Sequence, residues 1–114
     1  MRLTTTEAGN VLVVTVHEPR LDRRNRNHFH ERVAAYLRPG VRVALGLQNV
    51  GHVDGPGWAA VLELGRRAAA VGGEVGVFGL RPPVRALFQK LSLHRRLPAY
   101  ERPDDAVRAF QAAV

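Results

Sequence analysis

Residues 41–80, "VRVALGLQNVGHVDGPGWAAVLELGRRAAAVGGEVGVFGL", constrain the fold more than any other part of the chain. "VRVALGLQNV" is β-branched and apolar and reads as a buried strand. After a loop, Trp58, Val61, Leu62, Gly65 and Ala69 recur at helical spacing. They predict a helix from about Pro56 to Val71, ended by Gly72 and Gly73. "EVGVFGL" then reads as a second apolar strand. Strand, helix and strand in succession imply parallel strands joined by a right-handed crossover.

The flanking segments extend this unit. "RLTTT" and Val11 to His17 predict an N-terminal hairpin, with Gly9 and Asn10 suited to its turn. "EPRLD" reads as a connection, and Asn25 as the N-cap of a helix from about Arg26 to Arg38, which Pro39 and Gly40 stop. That helix presents Phe29, Val33, Tyr36 and Leu37 on one face. Pro82 and Pro83 open a third helix with Val84, Leu87, Phe88 and Leu91 on one face. "LPAYE" is a short strand, and "PDDAVRAFQAAV" a last helix with Asp105 in its first turn. The order β-β-α-β-α-β-α-β-α predicts an α/β fold: a small mixed sheet, made of the hairpin plus parallel strands, flanked by four helices.

The bulk numbers fit one domain over residues 1–114, since 46% of the chain is apolar. The absence of cysteine excludes disulfides and thiolate metal sites. "MRLTTTEAGN" lacks the apolar region of a signal peptide, and no apolar run approaches the roughly 20 residues that span a bilayer. A cytoplasmic protein is the expectation. The net charge of +7 comes from 16 Arg and one Lys spread along the chain. They form no recognition helix and no basic stripe interleaved with aromatics, so a solvated basic surface is favoured over nucleic acid binding.

Other chemistry finds little support. In "HFHE", His28 and His30 stand about 200° apart on a helix and do not share a face; His17, His52 and His94 are isolated, so no metal site is expected. No glycine-rich nucleotide loop is present, and the reading calls for no cofactor. Asp22 and Asp54 invite an acid–base reading, but no nucleophile, base and orienting group occur together, so no enzyme is expected.

Four segments in order resemble the STAS domain, and more closely the stand-alone anti-sigma factor antagonists of bacterial partner-switching systems. "RLD" followed by Asn25 resembles the family's Gly-x-Leu-Asp segment and its capping residue. The 45–80 stretch is similar to the signature in which an apolar strand leads to Asp-Ser-(Ser/Thr/Ala)-Gly-Leu, a helix, a Gly-Gly stop and another strand. "RPPVRALFQKLSLHRRLPAY" and "PDDAVRAF" resemble the segments that follow. The resemblance implies a protein-binding module whose partner is a histidine-kinase-like anti-sigma factor. It places the partner surface at Asp22, Asn25, His52, Asp54, Gly55, Pro56, Gly57 and Trp58. An accessory role on the ATPase of an ABC-type lipid transporter is the alternative.

The departures from the family pattern concern phosphorylation. In the family, the serine after the aspartate accepts phosphate from the partner kinase. Here Gly55 stands in its place and Pro56 in the next, and Gly46 stands where a second acid is usual. His52 replaces a residue that is usually apolar. Phosphoryl transfer needs an attacking hydroxyl, and the chain's only serine is Ser92, predicted to follow a different helix. The loop is therefore expected not to be phosphorylated. Two roles stay open for Asp54, helix cap and partner contact, and two for Trp58, core residue and exposed interface anchor.

Overall fold

The structure, a computed structural model, describes residues 1–112. Its main sheet is assembled from β1 (Leu3–Ala8), β2 (Val11–Val16), β4 (Arg42–Gly46), β6 (Glu74–Phe78) and β7 (Ala99–Tyr100), hydrogen-bonded in the order β1-β2-β4-β6-β7. β1 and β2 form the antiparallel hairpin, turned by Gly9 at φ 65°. Each later neighbour pairs in parallel, as the strand–helix alternation requires. Four helices, α1 (Arg26–Ala34), α2 (Gly55–Ala70), α3 (Pro82–Lys90) and α4 (Pro103–Ala112), complete the α/β architecture.

Alternation along the strands divides the core. Leu12, Val14, Val43, Leu45, Val75 and Val77 join Phe29, Val33, Trp58, Val61, Leu64, Val84 and Phe88 from α1, α2 and α3 in one buried cluster. The alternate residues Val11, Ala44 and Phe78 meet Ala106 and Phe110 of α4. Gly76 makes room for α4: a Cβ there would stand 2.8 Å from the Phe110 ring. Tyr100 closes this smaller cluster edge-on to Phe110, with ring centroids 6.0 Å apart. Burial pushes the Tyr100 hydroxyl above its ordinary pKa, and the nearby Glu74 carboxylate adds to the shift.

Several expectations need correction. The strand predicted over 41–50 ends at Gly46, because a turn closed by the Val50 N–H on the Leu47 carbonyl breaks it. The chain then forms a second strand, β5 (His52–Val53), which pairs in parallel with β3 (Arg20–Leu21) in a separate small sheet. The connection "EPRLD" is therefore partly strand. α1 stops at Ala34 rather than Arg38, its end tightened by bonds from Tyr36 to Val33 and from Leu37 to Ala34. α2 buries Gly57, Trp58, Ala60, Val61, Leu64 and Ala68. Its buried stripe is thus rotated from the predicted one, and Leu62, Gly65 and Ala69 instead border an open groove beside Leu97 and Pro98.

Trp58 is core, with 1% of its surface exposed, and its ring packs on Phe88 at a centroid distance of 5.2 Å. Its indole N–H has no acceptor, so its contribution is packing. Trp58→Ala is expected to lower unfolding free energy by about 3–5 kcal/mol, read as the shift in a urea midpoint with the slope unchanged.

Candidate functional site

The predicted site lies where two short segments of like sequence run side by side. Leu21-Asp22 precedes α1 and Val53-Asp54 precedes α2. Leu21 and Val53 are paired in register and buried, so the following aspartates emerge together beside two helix N-termini. The pairing is reinforced outside the ladder: the Gly51 N–H donates to the Pro19 carbonyl at 2.9 Å, and the Asp54 N–H to the Leu21 carbonyl at 3.3 Å.

Asp54 binds the two segments to each other. Its Oδ1 accepts from the Gly57 N–H at 2.7 Å and caps α2. Its Oδ2 accepts from the Arg23 N–H at 3.1 Å, in the turn leading to α1. Asp22 turns inward in the same manner, with Oδ1 accepting from the Arg24 N–H at 2.9 Å. Both carboxylates therefore serve backbone donors, and Asp54 is a helix cap. Asn25 occupies the N-cap position of α1 but makes no side-chain cap. Its Oδ1 accepts from the Asp22 N–H and its Nδ2 donates to the Arg20 carbonyl, each at 2.9 Å, so it stitches its own turn. Pro56 lies one residue further into the helix than expected, with Gly55 as the first helical residue.

The glycines of this loop obey opposite steric demands. At Gly57 a Cβ would stand 2.3 Å from the Leu21 carbonyl oxygen. Only hydrogen fits there, because the β3 backbone lies directly against the helix. At Gly55 a Cβ would meet nothing within 4 Å, and the residue is exposed. Residue 55 thus has room for a small side chain.

Of the expected partner surface, His52 and Gly55 are exposed, and Asp22, Asn25, Asp54 and Pro56 are half-buried. Gly57 and Trp58 are withdrawn beneath the surface: Gly57 lies against the Leu21 backbone and Trp58 belongs to the core. Their place in the contact surface is corrected accordingly. Sequence reading missed Arg20, Leu21, Arg23 and Val53 as parts of the site. The repeated apolar-Asp pair ahead of each helix was the available signal. Among the described residues, no group of three or more His, Cys, Asp or Glu side chains is placed to hold a metal ion. Among them, too, no helix is long and apolar enough to cross a membrane.

A five-stranded mixed sheet with two Asp-bearing segments joined ahead of its first two helices defines an α/β domain of a recognisable kind. The chain belongs to the STAS domain family, whose model matches residues 2–106. No curated protein is similar enough in sequence to match. Among solved structures, an anti-sigma factor antagonist from Mycobacterium paratuberculosis superposes with TM-score 0.85 at 19% identity, covering 96% of this chain and 93% of that one. The anti-sigma factor antagonist SpoIIAA in its unphosphorylated form gives TM-score 0.79 at 17% identity, covering 99% of each chain. The murine solute carrier 26 family member A9 anion transporter gives TM-score 0.82 at 22% identity over 94% of this chain, which spans only 18% of that transporter. At these identities the likeness is one of fold.

Two substitution pairs test this geometry by denaturant unfolding. Asp54→Ala is expected to cost about 1–2 kcal/mol by orphaning two N–H groups, and Asp54→Asn, which keeps an acceptor, clearly less. Gly57→Ala is expected to cost about 1–3 kcal/mol through overpacking against Leu21. Gly55→Ala has open space and an ordinary φ, and is expected to raise stability by about 0.4–1 kcal/mol.

Proposed function

We propose that residues 1–114 act as one STAS unit, a cytoplasmic protein-binding module of the anti-sigma factor antagonist kind that carries no phosphorylation switch. It docks on a histidine-kinase-like anti-sigma factor through the loop of His52 to Pro56 and the neighbouring turn of Asp22 to Asn25. Docking holds that factor and frees a sigma factor for transcription. The observation that carries the reading is Gly55. It lies exposed at the first position of α2, in the family's phosphoacceptor position, with open space around it and no hydroxyl. The loop keeps the form that presents this position and has lost the atom that would take phosphate. The single serine, Ser92, belongs to the turn after α3.

No catalytic step is assigned to the domain. Both nearby carboxylates already accept backbone N–H groups. Nor is the loop read as an anion site, because the Asp54 carboxylate caps the helix end at which an anion would have to bind. Constitutive binding follows from the missing hydroxyl: the partner can be held but not released by phosphate.

The test is a tagged pull-down from the native cytoplasm with the wild-type chain and with Gly55→Ser, followed by incubation with ATP. The wild type is expected to retain an anti-sigma ATPase with or without ATP and to gain no phosphate. The Gly55→Ser chain is expected to gain one phosphate per chain, on residue 55, if that ATPase is a kinase. Retention of an ABC ATPase instead, or phosphate on the wild-type loop, would overturn the reading.

A further inference from the structure

We propose that the docking end selects a partner by charge: it presents a basic rim shaped to receive an acidic protein surface. This rests on the docking reading above and adds the chemistry of the partner.

The rim is built from side chains that the fold gathers around the loop. Arg20 is in register with His52 in the small sheet. The Arg23 backbone is bonded to Asp54, and the Arg24 backbone to Asp22. Arg81, at the start of α3, reaches the same place from the other side: its Nη1 lies 3.6 Å from where a Cβ on Gly51 would be. Arg20, Arg23, Arg24 and Arg81 are all exposed. Among the described residues, ion pairs form at Arg2, Arg38, Arg66 and Arg108, and none of the rim arginines has one. The carboxylates of Asp22 and Asp54, beside these arginines, are turned onto backbone N–H groups.

Unpaired guanidinium groups ringing a docking loop raise association rates and select partners of opposite charge. The rim favours protein over nucleic acid for two reasons. Its arginines are spread over a two-residue strand, a turn and a helix start, and so form neither a recognition helix nor a two-stranded ribbon of the kind the major groove admits. The one tryptophan beside the loop is buried, and the large exposed apolar residues Tyr36, Val71 and Leu91 belong to other segments, so among the described residues no exposed Trp, Tyr or Phe sits on the rim to stack bases.

The experiment is a titration of the ¹⁵N-labelled full chain at about 0.15 M salt, followed by amide shifts. One probe is a decaglutamate peptide, and the other a random-sequence DNA duplex of about 20 base pairs. The variant Arg20→Glu with Arg24→Glu removes rim charge. Arg67→Glu with Arg96→Glu makes the same charge change toward the other end of α2, where Arg96 lines a groove with Ala69 and Gly73. The amide spectrum itself reports whether each variant is folded.

The expected result is that decaglutamate shifts the amides of Arg20, Arg23, Arg24, His52 and Gly55. Rim reversal is expected to weaken it about tenfold or more, and the control reversal less than about threefold. Equal weakening by both variants, or shifts spread over the whole surface, would overturn the proposal, as would tighter binding of the duplex at the rim. The same variants in the pull-down separate this proposal from the reading it rests on. If the ATPase is retained equally by wild type and rim variant, docking stands and the charge proposal falls. If decaglutamate maps to the rim but no anti-sigma ATPase is retained, the rim stands and the docking reading falls.

Discussion

The Asp54 carboxylate has two oxygens and gives one to each side of the molecule. One closes the first turn of α2, and the other holds the turn that begins α1. Without it, β3 and β5 would be joined only by a two-residue ladder and its flanking bonds, and so short a pair has little stability of its own. With it, the entrances to two helices are fixed relative to each other and the exposed loop acquires one conformation. Hydrogen bonds to a carboxylate are the stronger kind, and this one accepts two.

Gly57 and Gly55 show what this clamp demands and what it leaves free. The clamp brings the Leu21 carbonyl so close to α2 that residue 57 has no room for a side chain. One turn-edge away, residue 55 faces open space. The side chain at residue 55 can therefore change without disturbing the support beneath it. That separation is the physical basis for the proposal that the domain binds without being reset by phosphate.

Much of the fold was legible because it is written in repeated patterns. The apolar strands read over 41–50 and 74–80 and the periodic helix between them appear as β4, α2 and β6, both strands shorter than read. What was not legible depends on single partners rather than on pattern. Two residues, Arg20 and Leu21, carry no periodicity, so β3 read as connection. Asn25 has the side chain of a cap, but nothing in the sequence says that its acceptor will go to Asp22 instead of its own helix. The apolar face of α2 was misplaced because Leu62 looks like core, and only the tertiary position of Leu97 and Pro98 shows it to be the edge of a groove. At the site, residue identity drew attention to this loop. It did not fix that Trp58 would turn inward against Phe88.

The central claim is that the loop is preformed, held by Asp54 and the β3–β5 pairing. Native-state amide exchange of the N–H groups of Arg23, Gly51 and Gly57 tests it most directly. The account predicts that all three are protected, that they open together, and that Asp54→Ala releases Arg23 and Gly57 while the β4 and β6 amides stay protected. Free exchange of Arg23 and Gly57 in the unaltered protein would contradict it, because the loop would then be ordered by something other than this clamp.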